Sequence, residues 1–186
     1  ELKCGGDRYV LSRGGGATAR RRGQLGVAGG VRGVVGSGQA PAATTVDALE
    51  SCPSREGLDL ASRASTRQQY SWGDASARSH IIAYDYGIKR NILRLFEENG
   101  CRVTVVPADT PAAAVLEAKP DGVFLANGPG DPAAVGYAPS IIRAIAAQEG
   151  PSLGLCLGQQ LVGLTYGART EKRCYGHRWG KETGRV

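Results

Sequence analysis

The sequence predicts an α/β fold: a mostly parallel sheet with helices on both faces, preceded by a glycine- and arginine-rich segment. Three observations lead there. From Ile81 onward, short apolar runs alternate with stretches of helical period in the order β-α-β-α-β, and such alternation builds parallel sheets covered by helices. The junctions carry stop and start signals, Gly100 after one helical stretch and Thr110-Pro111 before the next. Many of the 28 glycines fall in the first forty residues, which leaves the core to the later part of the chain.

Taken in order, residues 1–45 hold no sustained period of 2 or 3.6, and Gly14-Gly15-Gly16 and Gly29-Gly30 would interrupt any regular element. Apolar patches such as Val34-Val35 are too short to offset that. The segment reads as poorly ordered, or as incorrectly translated sequence. It also supplies much of the net charge of +6, through Arg13, Arg20, Arg21, Arg22 and Arg32. Nucleic-acid binding calls for aromatic rings among such arginines, and only Tyr9 is present; a solvated segment is the simpler reading. Residues 46–79 change character, with a short helix around residues 46–51, then Gly57-Leu58-Asp59-Leu60 and Tyr70-Ser71-Trp72. They read as a linker that packs its leucines and aromatic rings on the domain that follows.

The domain of residues 80–186 opens with the strand Ile81-Ile82-Ala83-Tyr84, ending at Asp85-Tyr86-Gly87. Residues 89–99 form a helix with Ile92, Leu93, Leu95 and Phe96 on or near one face, closed by Gly100. After the strand Val103-Thr104-Val105-Val106, residues 111–119 form a short helix with Thr110 as N-cap and Pro111 at its first position. Gly122-Val123-Phe124-Leu125 is the third strand. The loop Asn127-Gly128-Pro129-Gly130-Asp131-Pro132 and a helix over residues 139–147 lead to a last short strand, which turns at Cys156 into a helix beginning Leu157-Gly158-Gln159-Gln160.

Ligands of parallel sheets bind beyond the carboxyl ends of the strands. Asp85, the loop at residues 127–131 and Cys156 each follow a strand, so all three project from one edge of the sheet. Gly154 and Gly158 flank Cys156 as a nucleophile elbow requires, and the helix start behind it favours an anionic sulfur, the nucleophilic form. The alternative is a buried, inert cysteine. The two glycines of the loop let backbone N–H groups approach an oxyanion, although a tight Pro-Gly turn explains glycines equally well. For Asp85, capping of the following turn is the simpler role.

Composition excludes several classes. The cysteines at positions 4, 52, 101, 156 and 174 are odd in number and lack Cys-x-x-Cys pairing, which argues against a disulfide framework and a zinc site. No apolar run approaches the ~18 residues of a membrane span, and the N-terminus lacks a signal-peptide pattern. A soluble, reducing, cytoplasmic setting is the default expectation.

The run Gly154-Leu155-Cys156-Leu157-Gly158-Gln159-Gln160 resembles the Gly-x-Cys-x-Gly-x-Gln elbow of class I glutamine amidotransferases. Two further stretches, Asp85-Tyr86-Gly87-Ile88-Lys89-Arg90-Asn91-Ile92 and Asn127-Gly128-Pro129-Gly130-Asp131-Pro132, are similar to the branch that forms the small subunits of carbamoyl phosphate synthetases. The resemblance runs from about Ile81 to Gly176 and more loosely back through residues 57–60 and 70–72, which then become a remnant of a small-subunit N-terminal domain. It implies a flavodoxin-like fold and glutamine hydrolysis through a thioester on Cys156. It also implies an oxyanion hole of the Gly130 and Leu157 N–H groups, with Gly128 and Gln160 holding glutamine. Gln159 stands where this branch often has His. Ammonia would pass to a large synthetase subunit; ATP and magnesium belong to that partner, and this chain needs no cofactor, nucleic acid or membrane.

The family completes its triad with a His and a Glu from a Gly-His-Pro-Glu-like run downstream of the elbow, and the sequence to Val186 has no such run. His80 precedes the first strand, and His177 lies in a segment that resembles a different family loop. The expectation is therefore a partial amidotransferase domain, incomplete at its C-terminal end, that hydrolyses glutamine very poorly. Two alternatives stay open: a non-catalytic binding or regulatory module on the same fold, and another cysteine-dependent chemistry.

Overall fold

The computed structural model describes residues 9–11, 32–34, 56–148 and 150–171. The chain divides into two units, Ser54–Thr170 and a second made of Glu1–Pro53 with Glu171–Val186. In the second unit, strands β1 (Tyr9–Leu11) and β2 (Arg32–Val34) pair in parallel, Val10 opposite Gly33. These strands fall within the segment from which no regular element was expected. They are three residues each, too short to show a period. The rest of residues 1–45, the helix expected around residues 46–51 and the loop carrying His177 lie outside the described residues.

The larger unit is built on one five-stranded sheet. Its strands are β3 (Tyr70–Trp72), β4 (Ser79–Asp85), β5 (Cys101–Pro107), β6 (Gly122–Leu125) and β7 (Ser152–Gly154). The spatial order is β3-β5-β4-β6-β7. All pairs are parallel except β3 with β5, which are antiparallel with Ser71 opposite Thr104. Helices α1 (Ala61–Ala64), α2 (Arg90–Glu98), α3 (Ala112–Glu117), α4 (Ala138–Ala146) and α5 (Leu157–Thr165), with a 3-10 turn at Pro132–Ala134, fill the connections. No helix of the described residues is long and apolar enough to cross a membrane.

Strand alternation divides the core. Ile82, Tyr84, Val123 and Leu125 point to one face, where Val115 of α3, Ile141, Ile142 and Ile145 of α4, and Leu157 and Leu161 of α5 cover them. Ala83, Val103, Val105 and Phe124 point to the other, against Leu93, Ile92 and Phe96 of α2. Such two-faced burial is what makes the strands of a parallel sheet read as unbroken apolar runs. The expected α/β architecture, with a mostly parallel sheet between helical layers, is the one observed.

Three details differ from the sequence expectation. Tyr70-Ser71-Trp72, read as linker, is an edge strand of the main sheet; three residues carry no periodic signal, and its register comes from the β5 partner. His80 lies within β4 rather than before it. Helix α3 spans Ala112–Glu117, with Pro111 itself as the extended N-cap residue at φ −58°, ψ 138° and no side-chain cap. Thr110 does not cap the helix because its hydroxyl donates instead to the Pro107 carbonyl, 2.8 Å away, closing the turn after β5.

Candidate active site

The carboxyl ends of β4, β6 and β7 lie at one edge of the sheet, and each hands over to a loop that the sequence marks. The loop after β4 is organised by Asp85. One carboxylate oxygen accepts the N–H groups of Gly87 and Ile88, both at 2.8 Å, and the other accepts Thr66 N–H at 2.8 Å. Asp85 is buried and its acceptors are engaged by backbone. It caps the turn, the simpler of its two expected roles.

The loop after β6 is laced to that turn. The Asn127 amide donates to the Gly87 carbonyl at 2.9 Å, and its oxygen accepts Lys89 N–H at 3.4 Å. Gly128 sits against the Tyr86 carbonyl so closely that any side chain would collide with backbone. Asp131 caps the 3-10 turn by accepting Ala133 N–H at 2.9 Å. Packing thus accounts for Gly128 without any ligand.

Cys156 occupies the crest of the turn between β7 and α5. Its backbone is at φ 53°, ψ −109°, a region that a residue with a side chain holds only under strain, of about 1–3 kcal/mol. Two hydrogen bonds to β6 and its continuation impose it: Leu155 N–H donates to Leu125 O at 3.0 Å, and Gly158 N–H to Ala126 O at 3.1 Å. Gly158 lies directly on the Leu125 carbonyl, and a Cβ on Gly154 would stand 2.8 Å from the Gln159 nitrogen. Both flanking glycines are therefore steric requirements of the elbow. The thiol they present is free and exposed, which removes the alternative of a buried, inert cysteine.

Because Ala126 both holds Gly158 and leads straight into residues 127–131, the loop and the elbow share one anchor. Leu157, buried at the first position of α5, has an N–H that the helix's own ladder cannot use. Gln160 is one helical turn beyond Cys156, with its N–H on the Cys156 carbonyl at 3.1 Å, and its side chain is exposed. A thiol beside unused backbone donors at a helix start is suited to attack on a carbonyl carbon.

Of the two histidines, His80 is remote from this edge. It is the second residue of β4, at the amino end of the strands, where its Nε2 meets Thr104 Oγ1 at 2.8 Å and its N–H donates to Asp121 at 2.7 Å. Burial, with the nearby Arg102, pushes its pKa below the usual 6.5. His80 cannot serve Cys156. Sequence reasoning missed the contribution of residues 57–60, whose backbone meets the loop at Gly130 and Asp131. The Asp131-Pro132 pair, an N-cap followed by a helix-starting proline, was the local signal for the 3-10 turn.

A family model, Glutamine amidotransferase class-I, matches residues 82–183, more than half of the chain. The carbamoyl phosphate synthase small chain of Rubrivivax gelatinosus is 48% identical over 152 residues, which cover 75% of this chain and 40% of that relative. The small chain of Thioalkalivibrio sulfidiphilus is 45% identical over 162 residues, 80% of this chain and 43% of the relative. That of Rhizobium meliloti is 51% identical over 137 residues, 66% and 34% respectively. The chain spans between 34% and 43% of the length of these relatives. Elbow, glycine loop and parallel sheet agree with the matched model: the chain belongs to the class I glutamine amidotransferase family.

Proposed function

We propose that this chain carries the glutamine-hydrolysing half-site of a carbamoyl phosphate synthetase. The observation that carries the reading is the strained, exposed Cys156 at the start of α5, held beside the glycine loop of β6. The Cys156 sulfur attacks the side-chain carboxamide carbon of glutamine. The Gly130 and Leu157 N–H groups take up the charge on the oxygen, while Gly128 and Gln160 hold the substrate. Collapse breaks the C–N bond; the nitrogen leaves as ammonia with an added proton, and a γ-glutamyl thioester remains on sulfur. Water then hydrolyses the thioester to glutamate and regenerates the thiol. The relatives are small chains, which supports a large synthetase subunit as the partner that receives ammonia, with ATP and magnesium on that subunit.

The proton for the departing ammonia needs an acid–base group, and His80 stands at the opposite edge of the sheet. The polypeptide has one other histidine, His177. With no acid–base partner for Cys156 among the described residues, we expect glutamine binding and covalent capture with slow turnover when the 186-residue polypeptide is assayed as it stands; a catalytic cysteine or serine without its base turns over on the order of 10⁴-fold more slowly. The same placement of His80 favours, as a second reading, a binding module without catalysis. Treatment with a chloroketone analogue of glutamine separates the two. Modification of Cys156 that saturates and that glutamine prevents supports the first, with little ammonia released from glutamine. A folded chain left unmodified supports the second. Rapid ammonia release lost in Cys156→Ala would overturn the expected slow turnover.

A further inference from the structure

We propose that Asp131 is a positioning residue, which fixes the oxyanion-binding loop onto residues 57–60 and makes that upstream segment part of the glutamine site. The inference rests on the reading of Gly130 N–H as an oxyanion donor. Asp131 divides its carboxylate between two tasks. Oδ1 accepts Ala133 N–H and starts the 3-10 turn, while Oδ2 accepts Gly57 N–H at 2.9 Å across 74 positions of sequence. Its own N–H donates to the Leu58 carbonyl at 3.2 Å. The peptide that follows Gly130 is thus tied to residues 57 and 58 from both its backbone and its side chain.

Gly130 itself is pressed against the same segment. It has φ +103°, and a Cβ there would stand 2.9 Å from Leu60 N and 3.0 Å from Leu58 O. Glycine enters such a conformation freely and leaves it as freely, so the residue cannot by itself set the direction of its N–H. The clamp supplies that choice. An oxyanion hole works only when its donors are aimed before the charge develops. The segment behind the loop is itself braced: Asp59 accepts Ser62 N–H at 3.0 Å, Leu60 O accepts Ala64 N–H at 3.1 Å, and Ala61 is fully buried.

Asp131→Asn isolates the clamp. Its amide oxygen can still accept Ala133 N–H, but an NH2 group facing Gly57 N–H sets donor against donor. The assay measures modification of Cys156 in the 186-residue chain by the chloroketone analogue, with iodoacetamide as a reagent that develops no oxyanion. We expect the saturating rate with the analogue to fall about tenfold, the half-saturating concentration to stay within about twofold, and the iodoacetamide rate to stay unchanged. Hydrogen exchange should quicken at residues 57–60 and 128–133, the two sides of the clamp, and nowhere else. Equal analogue rates in both proteins overturn the clamp alone. Failure of the unsubstituted chain to show saturable, glutamine-protected modification overturns the glutaminase reading and the clamp with it. Exchange that quickens throughout the sheet also overturns the proposal, because it assigns Asp131 to the fold.

Discussion

The Tyr86 ring stacks on that of Tyr84 with centroids 6.4 Å apart, and its hydroxyl is buried with no hydrogen-bond partner among the described residues. Burial first, and then the neighbouring Tyr84 and Tyr137, push its pKa far above the usual value, so the group stays a neutral phenol. An unpaired buried hydroxyl costs about 1–3 kcal/mol. Tyr86→Phe keeps the ring and removes that burden, and it is expected to raise the free energy of urea unfolding by about 1 kcal/mol. A lower midpoint would mean that the hydroxyl contributes to stability and is not a burden. Individual residues were unevenly legible in the sequence. Cys156, Gly154 and Gly158 announce themselves because one tight turn demands them together. Gly130 is visible as a glycine, yet the reason for it lies in residues 58 and 60, about seventy positions away, and no local pattern carries that.

At the scale of elements, the elbow is a strand, a turn and a helix forced into one another, with the strain concentrated at Cys156. Glycine tolerates φ 53°, ψ −109° without that strain. Its larger freedom in the unfolded chain offsets part of the gain. Cys156→Gly should therefore be more stable than the unsubstituted chain, by about 1 kcal/mol, while losing all covalent capture of the glutamine analogue. Unfolding in urea beside the labelling assay reads both; a destabilised variant would show that the turn is not strained. Elements with their own signals were placed from sequence to within a residue or two. The helix expected over residues 89–99 is Arg90–Glu98, closed by Gly100 at φ +76° with its N–H on Glu97 O. Strand β3 was missed because three residues have no period, and the N-cap of α3 was misassigned because Thr110 has a nearer acceptor in Pro107.

For the larger unit as a whole, parallel strands give the sheet two unlike edges. The carboxyl edge carries the loops and Cys156, and the amino edge carries a structural clasp centred on His80. That division follows from strand direction, which is why the placement of Asp85, the loop and Cys156 at one edge was legible once the β-α alternation was recognised, whereas the clasp joins residues from three segments and was not. At the clasp, the His80 ring meets the Thr104 hydroxyl, Asp121 is bonded to the backbone of His80, and Arg102 stands near. Burial and the Arg102 charge lower the histidine's pKa in the folded state, and Asp121 opposes them. Protonation is therefore easier after unfolding. The stability that follows from keeping the ring neutral is fully present above the unfolded value of about 6.5 and is lost as pH falls from there through the lower folded value. Between pH 7.5 and 5, before most carboxylates titrate, the urea midpoint should fall with pH. In His80→Gln, which keeps a polar group within reach of Thr104 but cannot be protonated there, the fall should be smaller over the same range. An identical pH profile in the two proteins would place the acid-sensitive group elsewhere. Modification of Cys156 by the glutamine analogue should keep the same ratio between the two proteins at each pH at which both are folded, because His80 and the thiol stand at opposite edges of the sheet.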